Sequence, residues 1–208
     1  LALFLFNLIE SMPKFVMETA LSYDNQLYFN ALYFPAQAIL LTVGFVYKPL
    51  LVRMAQMWTD AEKRNRFHLV ILAIVAMVIA LTLVVIFLMG WIGIPIMSFM
   101  YGVDFEQFRG LSFIMIAAGG VTAIIDFLYQ VITVLRRQKS VMKLYVITFG
   151  FSLFVPILLI DFTGLPGAVI GYLIVMTILM VLLVWEYVSI CLDLSKHPRR
   201  AEPKRYGP

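Results

Sequence analysis

The stretch FHLVILAIVAMVIALTLVVIFLMG, residues 67–90, contains no charged side chain and only one hydroxyl after His68. A helix needs about 20 apolar residues to cross a hydrocarbon core roughly 30 Å thick, and this run has that length. The apolar residues are continuous rather than alternating, which favours a helix over a barrel strand. A helix also satisfies its own backbone hydrogen bonds in lipid. The stretch therefore predicts a transmembrane helix.

The composition of the whole chain agrees with this interpretation. Of 208 residues, 62% are hydrophobic and 13% are charged, and the mean hydropathy of +0.95 exceeds that of ordinary soluble domains. Six runs approach the length of a span, and we expect an all-α membrane protein with a six-helix transmembrane bundle in residues 1–190. The predicted spans are residues 1–21, 27–52, 67–90, 111–135, 142–161 and 165–189. The segment between the third and fourth spans, residues 91–110, is too short to cross again, and its aromatic residues suit the outer interface.

Basic residues are concentrated after the second, fourth and sixth spans, where thirteen of the sixteen Lys and Arg residues lie. The opposite loops contain only Arg109, so the positive-inside rule predicts a multi-pass protein of the cytoplasmic membrane with both ends of the chain in the cytoplasm. The net charge of +4 is therefore attributed to membrane orientation and to contact with anionic lipids rather than to nucleic-acid binding. Residues 191–208 are predicted to be a disordered basic tail.

Several classes of chemistry find no support in the sequence. A single cysteine, Cys191, excludes an internal disulfide, and His68 and His197 are too far apart to suggest a metal site. We expect no cofactor and no catalytic residues, because the loops lack the clustered acids, bases or metal ligands that a membrane enzyme needs near one membrane face.

The chain also begins inside an apolar run without an initiator methionine, so we expect an N-terminal portion to be missing.

The first span carries three charged residues, Glu10, Lys14 and Glu18, spaced four apart. This spacing places them on one stripe of a helix, and Pro13 is expected to bend the helix beside it. A charge costs about 2.5 to 3.5 kcal/mol at mid-bilayer, so the stripe is expected to face protein or water. Two interpretations remain open: the stripe contacts a substrate, or Lys14 pairs with the two glutamates and only joins helices.

Polar residues in two other spans follow helical spacing. In the fourth span, Asp126 shares a face with Gly119, Thr122, Gln130 and Thr133. This face suits a cation or proton site or a sugar contact, or else a carboxylate that hydroxyls and Gln130 cap within the bundle. In the second span, Asn30, Tyr33 and Gln37 form another polar face. Lys48 is close enough to Arg53 to extend toward the cytoplasmic headgroups.

Four stretches resemble one known family: LIESMPKFVMETAL (8–21), YFNALYFPAQAILLTVGFVYKPLL (28–51), GIPIMSFMYGVDF (93–105) and LRRQ (135–138). They are similar to the C-terminal half of the polysaccharide and lipid-linked oligosaccharide flippases, in the multidrug, oligosaccharidyl-lipid and polysaccharide exporter superfamily. The resemblance implies one lobe of a two-lobe, alternating-access transporter with twelve or more helices, whose partner is the missing N-terminal lobe of the same protein. Met12 stands before Pro13 where the family has leucine.

The resemblance implies export of a lipid-linked oligosaccharide or polysaccharide repeat unit for cell-surface polysaccharide synthesis. It assigns binding of the cargo's lipid pyrophosphate to Lys14. From their place on the polar stripes we expect Glu10, Asn30 and Gln37 to bind cargo beside Lys14, and Asp126, Glu10 and Gln130 are candidates for ion coupling. The embedded charges Glu10, Lys14, Glu18, Lys48 and Asp126 sum to minus one, so the missing lobe would supply further cations. A multidrug cation antiporter of the same superfamily is the main alternative. A membrane enzyme of envelope synthesis and a purely structural membrane subunit are further ones.

Overall fold

The computed structural model describes residues 2–59 and 64–196, and these residues are almost entirely helical, with no strand among them. Eight α-helices follow one another within these two ranges: α1 (Ala2–Ala20), α2 (Tyr23–Tyr47), α3 (Leu51–Thr59), α4 (Arg64–Leu88), α5 (Ile94–Tyr101), α6 (Arg109–Val134), α7 (Gln138–Thr163) and α8 (Leu165–Lys196). Each predicted span overlaps a different long helix, in the order α1, α2, α4, α6, α7 and α8, and the second span continues past α2 through a short 3-10 helix, Lys48–Leu50, into α3. α8 continues beyond its predicted end, and residues 197–208 of the predicted tail lie outside the described residues.

Among the residues that the structure describes, five helical stretches are long and apolar enough to cross a membrane: Tyr23–Trp58, Arg64–Tyr101, Phe105–Val134, Gln138–Thr163 and Leu165–Asp193. α1 is not among them, because it has three charged residues within 19 positions. α4 illustrates the apolar surface of these stretches: only four of its residues are buried, while Leu72 and Phe87 are more than 60% exposed. Such apolar exposure is typical of a surface that lipid or another protein covers.

The helices pack around a centre that α6 and α8 form together. α6 contacts α2, α4 and α8, while α7 lies between α8 and α1. α6 has thirteen buried residues, the most of any helix for which burial is resolved along its length. Small residues permit its close approach to neighbours. A Cβ atom added at Gly119 would lie 2.6 Å from that of Ala36 on α2, and one added at Gly120 would overlap Thr82 on α4.

Between the predicted third and fourth spans the chain remains helical for longer than the sequence suggests. α4 passes through a single π-helical stretch, Met89–Gly93, directly into α5. α5 ends at Gly102, whose φ of 64° is left-handed. Of the aromatic residues predicted at the interface, Trp91 and Phe99 are exposed, but Phe105 is 1% exposed. Phe105 is buried because it packs edge-on against Tyr28 of α2.

The basic segments meet at one end of the bundle. His68, near the start of α4, contacts the Tyr187 hydroxyl on the last part of α8 at 2.6 Å. Arg137, between α6 and α7, donates a hydrogen bond to Asp193 of α8 at 3.0 Å. The end of α6, the starts of α4 and α7, and the end of α8 therefore lie on the same side. This arrangement agrees with the alternation of spans on which the predicted orientation rests.

Candidate functional site

The charged stripe of α1 contacts α2 through one hydrogen bond. The hydroxyl of Tyr33 donates to Oε1 of Glu10. Tyr33 is 3% exposed, while Glu10 is half-buried. The two helices therefore present polar groups to each other, and the half-buried glutamate obtains a hydrogen-bond donor from the neighbouring helix.

Lys14 lies on the same contact but does not pair with either glutamate. Its Nζ atom is 4.6 Å from the centroid of the Tyr33 ring, which is within cation–π distance. In the described part of the chain the ion pairs are Arg109–Glu106 and Arg137–Asp193. The described residues therefore show neither of the ion pairs expected if Lys14 only joins helices, which are Lys14 with Glu10 and Lys14 with Glu18. Glu18 is exposed. The ring takes up one side of the ammonium, and the N–H donors on its other side are available to a ligand.

From Tyr33 a chain of hydroxyl groups continues into the centre of the bundle. The Tyr33 hydroxyl lies 3.5 Å from that of Tyr172 on α8, which in turn lies 3.1 Å from Oγ1 of Thr122 on α6. Tyr172 and Thr122 are both at most 1% exposed. Thr122 also donates to the Ala118 carbonyl. Side chains of α1, α2, α8 and α6 are thus joined in one buried polar network, which we call the hydroxyl chain (Glu10, Tyr33, Tyr172, Thr122).

Asp126 lies one turn beyond Thr122 on α6 and has a separate partner. The Tyr47 hydroxyl of α2 donates to its Oδ2 atom. A hydroxyl therefore does cap the Asp126 carboxylate, as one interpretation of the sequence expected, but this hydroxyl belongs to a tyrosine of another helix. Gln130 is half-buried. Thr133 has a buried Oγ1 without a hydrogen-bond partner among the described residues.

The other residues assigned to cargo binding lie at the surface of this chain. Asn30 and Gln37 are exposed, and their spacing of three and four residues from Tyr33 places them on its side of α2. On α1, Asn7 is exposed, and Ser11 and Lys14 are half-buried. We call this set the polar face (Asn7, Ser11, Lys14, Asn30, Gln37). Lys48 is also exposed, but it follows the end of α2, away from this set.

Two participants were not predicted from the sequence: Tyr47 and Tyr172. The neighbours of Tyr172 in α8 are apolar, and Tyr47 is separated from Gln37 by a stretch of α2 with Thr42 as its one polar residue. The available signal is weaker and general, because a buried tyrosine usually finds a hydrogen-bond partner for its hydroxyl. Only the packing of α8 against α6 and α2 shows which partner that is.

Within residues 2–59 and 64–196, no three His, Cys, Asp or Glu side chains lie close enough together to hold a metal ion. Comparison of the chain with protein-family models, with curated proteins and with solved structures finds no match. What the site does must therefore be argued from its own geometry and from the sequence resemblance.

Proposed function

We propose that the chain is one lobe of a membrane transporter that moves a lipid-linked oligosaccharide or polysaccharide repeat unit to the outer leaflet by alternating access. The observation that carries this proposal is the polar face: exposed Asn30 and Gln37 on an apolar helix, next to the contact of Glu10 and Lys14 with Tyr33. Polar groups at membrane depth are costly against lipid. They are tolerated against protein or a water-filled cavity, which is the surface that a second lobe would complete.

In this proposal α1 also crosses the membrane, in addition to the five apolar stretches and despite its charges. Its charged stripe faces the cavity, so in the membrane-embedded protein the charged residues are hydrated or in contact with cargo. Lys14 then binds the pyrophosphate of the cargo as a point charge. Glu10 and Tyr33 hold the α1–α2 contact from which Lys14 extends, while the amides of Asn30 and Gln37 offer hydrogen bonds to sugar hydroxyls. No covalent bond is made or broken during transport.

A test is to replace Lys14 in the intact protein and to measure glycan at the cell surface. We expect Lys14→Ala to abolish export with normal membrane insertion, and Lys14→Arg to retain part of it because the charge remains. Lys48→Ala is the matched control, since Lys48 is an exposed lysine away from the polar face. Normal export in Lys14→Ala would contradict the proposed role, and so would an equal loss in both alanine variants.

A multidrug cation antiporter is the second candidate, and the observation in its favour is Asp126. Its carboxylate accepts a tyrosine hydroxyl rather than a cationic side chain, so it keeps a negative charge available for an ion. Asp126→Asn preserves an acceptor for Tyr47 while removing that charge. If the protein is an antiporter, wild type will extrude cationic dyes and Asp126→Asn will fail to do so. Absence of efflux by the wild-type protein argues against this candidate.

A further inference from the structure

The turn between α6 and α7 encloses a pocket of about 490 Å³ with an unusual concentration of cationic groups. Its lining residues are Thr133, Arg136, Arg137, Gln138, Lys139 and Ser140. Arg136 and Lys139 are exposed, and neither has an ion-pair partner among the described residues. Arg137 is held in place by Asp193 of α8. The pocket therefore has three cationic side chains and one neighbouring carboxylate.

The backbone of this turn holds Arg136 in a conformation that favours glycine. Arg136 has a φ of 58°. Its N–H donates to the Thr133 carbonyl and the N–H of Arg137 donates to the Ile132 carbonyl, which is the Schellman pattern at a helix end. Glycine is the usual residue at this position. An arginine there accepts backbone strain, which is consistent with selection for its side chain.

A groove of about 340 Å³ adjoins this pocket between α6 and α7. It is lined by Trp185, Val188, Ser189, Leu192 and Asp193 of α8. The hydrogen bond between Arg137 and Asp193 joins the two, because Arg137 lines the first and Asp193 lines the second. Trp185 is 75% exposed, and tryptophan is enriched where membrane lipid meets water. A cationic pocket thus lies beside a mostly apolar groove with an interfacial aromatic residue.

We propose that these two adjoining sites bind one anionic phospholipid, with its phosphate in the α6–α7 pocket and an acyl chain along the α8 groove. Arginine and lysine side chains, the Ser140 hydroxyl and the first amides of α7 are the donors that a phosphate accepts from. The apolar groove favours a lipid over a free phosphate, because inorganic phosphate has nothing to bury there. This site is distinct from the polar face and does not depend on the proposed transport function.

The test measures binding of phosphatidylglycerol to the intact protein in detergent by native mass spectrometry, with phosphatidylcholine and inorganic phosphate as the other probes. We expect the double variant Arg136→Gln with Lys139→Gln to weaken phosphatidylglycerol binding by about tenfold or more. The matched control removes two exposed arginines at positions outside the pocket, Arg53→Gln with Arg66→Gln. It is expected to change binding by less than about threefold.

Two single variants separate a lost site from a lost fold. Ser140→Asp places a negative charge in the first turn of α7, where the helix dipole favours it, and should weaken phosphatidylglycerol binding while the protein stays folded. Trp185→Ala should weaken binding of the lipid through the apolar groove. Equal losses in both double variants would indicate diffuse surface charge and overturn the proposal. Displacement of the lipid by inorganic phosphate would overturn the assignment to a lipid, as would wild-type binding of phosphatidylcholine as tight as that of phosphatidylglycerol.

Discussion

The hydroxyl of Tyr33 on α2 donates a hydrogen bond to the carboxylate of Glu10 on α1, and the ammonium of Lys14 lies over the same tyrosine ring. One residue of α2 thus satisfies both charged groups of α1 that the sequence places deepest in the first span. The glutamate accepts from Tyr33 rather than from Lys14, and the half-buried Lys14 keeps part of its ammonium accessible. This relationship supports the proposal that Lys14 binds cargo.

Removing the Tyr33 hydroxyl should destabilise the protein without changing its packing. Tyr33→Phe keeps the ring but leaves Glu10 without its donor and interrupts the hydroxyl chain to Tyr172. We expect the free energy of unfolding to fall by about 1 to 3 kcal/mol. Thermal or SDS unfolding in detergent measures this change. Tyr23→Phe is the control, because Tyr23 is 79% exposed, and it should leave stability unchanged; equal effects of the two variants would contradict the hydrogen bond.

The hydroxyl chain should behave as one unit in a double-mutant cycle. Tyr33 and Thr122 are on different helices, and the hydroxyl of Tyr172 lies near the hydroxyls of both. If Tyr172 transmits the interaction, the costs of Tyr33→Phe and Thr122→Val will differ from additivity by about 0.5 kcal/mol or more. The cycle is measured by unfolding of the two single variants and the double variant. Strict additivity would mean that the two ends are independent.

The sequence predicts the helices far better than the contacts of the site. Five of the six predicted spans coincide, within the described residues, with helical stretches long and apolar enough to cross a membrane, because hydropathy over about 20 residues is a local property. The charged spacing in α1 places Glu10 and Lys14 on one stripe, and both contact Tyr33. The partners are not local: Glu10 was expected to have Lys14 as one possible partner at four residues' separation, but the structure uses Tyr33, 23 residues away. Tyr172 is 139 residues from Tyr33. Which tyrosine meets which carboxylate depends on helix packing, and periodicity does not contain that information.

The close approach of α2 and α6 should make Gly119 sensitive to even one methyl group. A Cβ atom there would lie 2.8 Å from the Cα atom of Ala36, which belongs to the backbone and cannot rotate away. We expect Gly119→Ala to cost about 1 to 3 kcal/mol of unfolding free energy. Gly150→Ala, within α7, is the control because an added Cβ meets nothing within 4 Å. It should be neutral or stabilising by about 0.5 to 1 kcal/mol, and a similar loss in both variants would contradict the tight α2–α6 contact.

Arg136 should be a position where glycine stabilises the fold. Its φ of 58° is left-handed, and relieving that strain should raise the free energy of unfolding by about 1 to 2 kcal/mol in Arg136→Gly. Arg136→Ala removes the same charge but keeps the strain, so it should not give this gain. The comparison of the two melting temperatures separates backbone from charge. A gain in Arg136→Ala equal to that in Arg136→Gly would show that charge repulsion, not backbone conformation, is the cost.

The most direct measurement asks whether the polar face borders water in the membrane. In the intact protein with Cys191 replaced by alanine, single cysteines are introduced at Gln37 on the polar face and at Leu72 on α4, which is 69% exposed and surrounded by apolar residues. A thiol in water reacts with a hydrophilic maleimide much faster than one in lipid, because the thiolate forms only where it is hydrated. If the polar face lines a transport cavity, Gln37→Cys will be labelled in intact membranes and Leu72→Cys will not. Labelling of neither cysteine, or of both at the same rate, would contradict the cavity.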